Sequence, residues 1–253
     1  MLRRYPFGVL LVLTTALAGC TARQHNDAGP VRPSTTPSVP AWASGGPTAV
    51  LHDAVTRTRA TTMTITFTSP NGAGLTGMYD ATSKRATLTD PSDGTKVVST
   101  PDDMYLSGFP EFQGKTLRLK IEKLRAASML AMLADVVAAF TLLDAATNIS
   151  TPAPGVLTGT LDLTQIHGAT AGSRKFVEYL VTVGGGRAKA VDFSASVDVA
   201  GHLTQFRATF PGIDDGKDGE YILKLADFGK ELTIAVPSGS GVVSAPESAY
   251  REW

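Results

Sequence analysis

From Val191 to Val199 the chain alternates without a fault: Val191, Phe193, Ala195, Val197 and Val199 on one side, Asp192, Ser194, Ser196 and Asp198 on the other. A period of two is the side-chain repeat of a β-strand, and a one-residue slip would exchange the apolar and polar faces. The segment can therefore be only a strand with one buried face. Ala200-Gly201-His202 supplies a turn and Leu203–Phe210 returns, so the pair is a hairpin. One-faced burial of this kind belongs to antiparallel sheets, not to parallel ones covered on both sides.

The same period recurs upstream. In residues 61–68 Met63, Ile65 and Phe67 face one way and four threonines the other. Pro70-Asn71-Gly72 reads as a turn, and Leu75–Tyr79, Lys84–Thr89, Thr95–Ser99, Asp103–Ser107 and Leu117–Ile121 read as further strands. Val156–Thr164, Glu220–Leu225 and Glu231–Val236 complete the series, followed by a polar tail from Pro237. Three stretches take the 3.6-residue period instead: a short helix opening at Pro47, a long one over Ala126 to Ala146, and a third over Ser173–Val183 with Ser173 as its cap. Pro152 and Pro154 interrupt the chain after the second. The pattern predicts an α+β fold, a curled antiparallel β-sheet with helices on one face. Many short strands at regular spacing also suit a sandwich or a barrel, although the helices between them speak against a plain sandwich.

The N-terminus reads as an address. Arg3 and Arg4 precede an apolar stretch from Phe7 to Leu17 that is too short to span a bilayer, and the segment ends in Leu17-Ala18-Gly19-Cys20. Small residues before the chain's one cysteine match a lipobox, in which the cysteine takes a lipid thioether and becomes the mature N-terminus. Residues 1–19 are then a signal peptide and Cys20 the lipidation site, which predicts a protein anchored to the outer face of the cell membrane. Residues 20–46, rich in Pro, Ser, Thr and Gly, read as a disordered tether, 47–237 as the folded domain and 238–253 as a tail.

Residues 128–143, SMLAMLADVVAAFTLL, form the most apolar run. Sixteen helical residues rise about 24 Å, short of a hydrocarbon core of about 30 Å. Asp135 sits at the centre, and Glu122, Lys123, Arg125 and Asp144 crowd the ends, which argues against a membrane span. Met129, Leu133, Val136, Phe140 and Leu143 fall on one stripe, flanked by Leu130 and Val137, with Ser128, Ala131, Asp135, Ala138 and Ala139 opposite. This predicts a helix laid across the sheet with its large side chains inward. The stripe either packs directly on strand residues such as Phe67 and Phe193, or stands off them and lines a pocket.

Composition excludes several classes. Lys+Arg and Asp+Glu number 23 each, so there is no basic stripe for nucleic acid. One cysteine allows no internal disulfide and no thiolate metal cluster. The four histidines show no H-x-x-x-H spacing, and no G-x-S-x-G elbow occurs. Asp214, Asp215, Asp218 and Glu220 lack the spacing of a calcium loop and read as a solvated hairpin. The residues predict no catalytic constellation, no metal and no cofactor.

A lipobox, a tether, a strand meander, a mid-chain apolar helix and a closing hairpin resemble the LppX/LprG-like lipoproteins of mycobacterial type, whose architecture is akin to the LolA/LolB carriers. VDFSASVDVAGHLTQFRATF (191–210) is similar to that family's last long hairpin, and LADFGKELTIAVP (225–237) to its closing segment. The resemblance implies a half-barrel with helices packed on its concave face. It also implies a monomer that holds or carries a hydrophobic ligand, a lipid or lipidated glycan, between helices and sheet. Met129, Leu130, Leu133, Val136, Val137, Phe140, Leu143, Phe67 and Phe193 would line the pocket. A member whose core is closed would instead be a non-catalytic interaction or sensor lipoprotein.

Overall fold

The structure, a computed structural model, describes residues 44–252 apart from 70, 71 and 73. The expected signal peptide, Cys20 and the expected tether up to residue 43 lie outside the described residues. The described residues form one compact unit.

Among the described residues twelve strands make one open sheet: β1 (Met63–Thr68), β2 (Gly74–Asp80), β3 (Arg85–Thr89), β4 (Lys96–Ser99), β5 (Asp103–Ser107), β6 (Thr116–Lys120), β7 (Thr147–Ala153), β8 (Val156–Leu161), β9 (Val191–Val197), β10 (Leu203–Asp214), β11 (Lys217–Ala226) and β12 (Val242–Ser244). Their spatial order is β12-β6-β5-β4-β3-β2-β1-β11-β10-β9-β8-β7. Two meanders, β1–β6 and β7–β11, meet where β1 pairs with β11, with Phe67 opposite Leu223 and Ile65 opposite Leu225. All pairings are antiparallel except β12 on β6. The fold is the expected α+β curled sheet, left open at both edges.

This topology dictates where the apolar run goes. Strand β6 lies near one edge and β7 forms the other. The chain between them must cross the whole inner face, and only an apolar segment can do so while covering it. Helices α1 (Pro47–Arg59) and α4 (Ala171–Gly184) share that face, and a short α5 (Ala249–Glu252) follows β12. Among the described residues no helix is long and apolar enough to cross a membrane. The core centres on buried Tyr221, whose ring lies 4.9 Å from Phe67, 5.6 Å from Phe176, 6.0 Å from Phe206 and 5.7 Å from Phe210.

Four expectations need correction. The single helix over 126–146 is two short ones, α2 (Ala131–Ala134) and α3 (Ala139–Asp144). The break is Asp135, at φ −143° and ψ 96°, whose Oδ1 accepts the Val137 N–H at 3.1 Å. An aspartate that bonds its own backbone two residues on competes with the helical ladder, and two β-branched residues follow it. Second, Glu231–Val236 is not a strand. Both neighbours of β11 are already taken, by β1 and β10, so a strand after it has no edge to join. The chain instead crosses the outer face, where Ile234 buries Val98 and Tyr105 with Val236 alongside. Third, the segment after Pro237 is no free tail: β12 extends the sheet and Tyr250 is buried against it. Fourth, Pro152 lies inside β7 without ending it, because an edge strand tolerates a missing donor.

Two smaller differences concern helix and strand ends. Helix α4 is capped by Thr170, with Ser173 as the reciprocal member of a capping box. Strand β9 stops at Val197, and Val199, last in the alternation, is exposed at the turn.

Candidate functional site

The apolar run does not present one bulky face inward. Ala131, Ala134, Ala138 and Ala139 are as buried as Phe140, Leu142 and Leu143, while Met129 is 57% exposed. The run packs on α1 and α4, which themselves lie on the sheet, and its small side chains allow the close approach. Gly172 of α4 meets it directly at Ala134 and Asp135.

A cleft of about 670 Å³ opens between the end of α1, the β2–β3 and β4–β5 turns, residues 134–145 and the loop 165–172. Tyr79, Ala86, Ser99, Ala134, Val136, Val137, Ile166 and Gly172 form its buried inner wall. Arg59, Lys84, Asp144, His167 and Thr170 stand on its exposed rim. The β2–β3 turn is held by Asp80, which accepts the Thr82 N–H at 2.9 Å and the Ser83 hydroxyl at 2.6 Å; Lys84 then turns through a left-handed backbone at φ 53° onto the rim.

Asp135 is enclosed by protein on all but its cleft side. Its Oδ2 accepts the Thr170 hydroxyl at 3.0 Å, which ties the break between α2 and α3 to the cap of α4. Burial raises its pKa, against the hydrogen bonds from Thr170 and Val137 and the positive charge of Arg59. Tyr79 is pushed up to about 12 by burial and by the Asp135 charge, against Arg59. Burial, and then Asp135, raises Tyr221 as well. Arg59 pairs with Asp144 at 2.5 Å across the rim and lies 5.8 Å from the Phe140 ring.

Of the nine residues predicted to line a pocket, Val136 and Val137 do so. Leu130, Phe140 and Leu143 are buried in the core and Leu133 is half-buried on it. Met129 points to solvent. Phe67 and Phe193 are core residues, packed on Tyr221 and on Phe206 at 6.2 Å. The sequence reading missed Tyr79, Ser99 and the rim. Asp135 was visible as the one acid in an apolar run but was assigned outward. The acidic turn is held by ion pairs, Asp218 with Arg187 at 2.6 Å and Glu220 with Arg207 at 2.5 Å.

A smaller hollow of about 420 Å³ lies at the other end of the inner face, between Leu106, Phe112, Leu117 and Leu119 and the C-terminal Val243 and Ala249.

No family model and no curated protein matches the chain. Among solved structures it is similar to the Mycobacterium tuberculosis lipoprotein LppX, with a TM-score of 0.45 and 13% identity over 74% of this chain and 97% of that one. It is also similar to an uncharacterized conserved protein from Thermus thermophilus, with a TM-score of 0.40 and 12% identity over 77% of this chain and 97% of that one.

Proposed function

We propose that this chain is an envelope lipoprotein of LppX/LprG type. It is anchored through Cys20 to the outer face of the cell membrane and holds one hydrophobic ligand, a lipid or lipidated glycan, in the cleft beside Val136 and Val137. The cleft carries this reading: a space of about 670 Å³ whose buried wall is mostly alanine, valine and isoleucine falls in the range of about 300–1,000 Å³ used by small-molecule sites. Each 100 Å² of apolar ligand surface taken from water would contribute about 2.5 kcal/mol, before the cost of association. No covalent chemistry is required, and a monomer suffices. The Leu17-Ala18-Gly19-Cys20 motif supports the anchor; two acyl chains would hold it stably.

A second reading, a closed-core interaction or sensor module, is favoured by the aromatic cluster at the centre. Tyr221, Phe67, Phe176, Phe206 and Phe210 fill the middle of the inner face, so the cleft occupies one end and does not run the length of the sheet. Native mass spectrometry of residues 39–253, whose described part forms a compact unit, separates the two after incubation with envelope lipids. A stoichiometric lipid adduct is expected. Bare protein that also takes up no lipophilic dye would leave the interaction module as the better account.

A further inference from the structure

The cleft carries its polar groups in two places of different character. On the exposed rim stand Arg59, Lys84, Asp144 and His167. Within the wall stand Asp135, Tyr79 and Ser99, interleaved with Ala86, Ala134, Val136 and Val137. A site for a purely apolar chain has no use for an acid in its wall, because burying it costs free energy unless donors surround it.

Asp135 is built in with care. It accepts from the Thr170 hydroxyl at 3.0 Å and the Val137 N–H at 3.1 Å, two of the roughly four donors a carboxylate can take. It sits beside the first turn of the 14-residue helix α4, whose N-terminus favours negative charge. Arg59, the cation whose charge reaches it, is itself paired with Asp144 on the rim. Asp135, Tyr79 and Ser99 all line the cleft, and the charge of Asp135 reaches Tyr79.

The geometry points to a ligand whose head group is uncharged and hydroxyl-bearing, and which seats that head inside the cleft. Its hydroxyls donate to Asp135 and exchange hydrogen bonds with Tyr79 and Ser99, while its chain lies along Ala86, Val136, Val137 and Ile166. A carboxylate or phosphate head is turned away from this position, since the wall would set like charges side by side. The rival arrangement places an anionic head on the rim against Lys84 and Arg59, with the tail alone inside. This inference rests on the cleft being a ligand site and names the chemistry of that ligand.

The test is displacement of the dye N-phenyl-1-naphthylamine from residues 39–253 at pH 8, with 1-monolauroylglycerol and with laurate, which share one chain length. The glycerol ester should displace the dye at a concentration at least about tenfold lower than laurate. Asp135→Asn keeps an oxygen for the Val137 N–H, sets an amide N–H against the Thr170 hydroxyl, which then accepts, and loses the charge; it should bring the two within about threefold, chiefly by improving laurate. Tyr79→Phe removes one wall hydroxyl and nothing else. It should weaken the ester with laurate unchanged, which keeps the test decisive if the Asp135 variant does not fold. Equal or tighter displacement by laurate in the parent protein, or ratios unmoved by either substitution, would overturn the inference and leave the ligand site standing. Failure of dye and both amphiphiles to bind would remove the site and the inference together.

Discussion

Gly172, in the first turn of α4, is the space in which Asp135 sits: a methyl group added there would stand 2.7 Å from the Asp135 Cβ and 2.8 Å from the Ala134 carbonyl oxygen. The glycine serves close approach, not backbone freedom. Gly172→Ala gains up to about 1 kcal/mol in helix propensity, but the obstacle is backbone, which does not give way. Overpacking of this kind costs about 1–3 kcal/mol. The expected result is a lower urea midpoint together with weaker dye uptake, because α4 is pushed off residues 134–137. A variant more stable than the parent would show that the contact relaxes freely.

Asp135 makes stability depend on pH with a definite sign. Burial raises its folded pKa above the unfolded value of about 3.9. In the window between the two values the folded chain holds a proton that the unfolded chain has lost. This contribution to stability is complete below the unfolded pKa and is lost as pH rises through the folded one. Asparagine stays neutral at all these pH values. Asp135→Asn should therefore sit closest to the parent near pH 4 and gain on it as pH rises to 8, measured as urea midpoints. A gap that does not change with pH would mean that the bonds to Thr170 and Val137 cancel the effect of burial.

Thr58 joins α1 to the sheet through one hydroxyl. Its Oγ1 donates to the Ala54 carbonyl at 2.7 Å and accepts the Leu203 N–H at 2.7 Å, and the side chain is fully buried. Leu203 opens β10 beside a register shift against β9, so its amide takes this hydroxyl as partner. Thr58→Val keeps the shape and leaves that amide unpaired, which costs about 1–3 kcal/mol. Thr58→Ser keeps the bond and should lose less, about 1 kcal/mol for the missing methyl. Equilibrium unfolding of the pair checks the order, which would reverse if packing outweighed the hydrogen bond.

The strands were legible because a period of two leaves little choice. Met63, Ile65 and Phe67, and likewise Val191 to Val197, are buried on the face their spacing assigns. What was not legible depends on partners distant in sequence. Glu231–Val236 has strand composition, but whether an edge is free beside β11 is decided by β1, at the other end of the folded domain. In residues 128–143 the helical period is real. Asp135 nevertheless chooses a bond to Val137 because Thr170 and Gly172 arrive to stabilise the broken form. The site suffers most from this. Its wall is assembled from Tyr79, Ser99 and Gly172, on three separate elements, and from Asp135 in the break between α2 and α3, and none belongs to a local motif.

The C-terminal segment supports a prediction about the sheet edge. Val242–Ser244 pairs in parallel with Thr116–Arg118, the Ala245 N–H donates to the Arg118 carbonyl at 2.9 Å, and the Tyr250 hydroxyl accepts the Lys120 N–H at 2.8 Å. Lys123 adds an ion pair to Glu247 at 2.5 Å and lies 5.5 Å from the Tyr250 ring. Together these cover the outer side of β6 and roof the hollow over Leu117 and Leu119. Tyr250→Phe removes one partly buried hydrogen bond and should cost about 0.5–1.5 kcal/mol, with faster amide exchange at Lys120. Ending the chain after Gly241 should do more. It exposes the unpaired groups of β6 beside apolar leucines, the arrangement that leads edge strands to join between molecules. The truncated protein should therefore elute from size exclusion as concentration-dependent oligomers while the parent remains monomeric, and a truncated monomer of unchanged stability would show that β6 needs no cover.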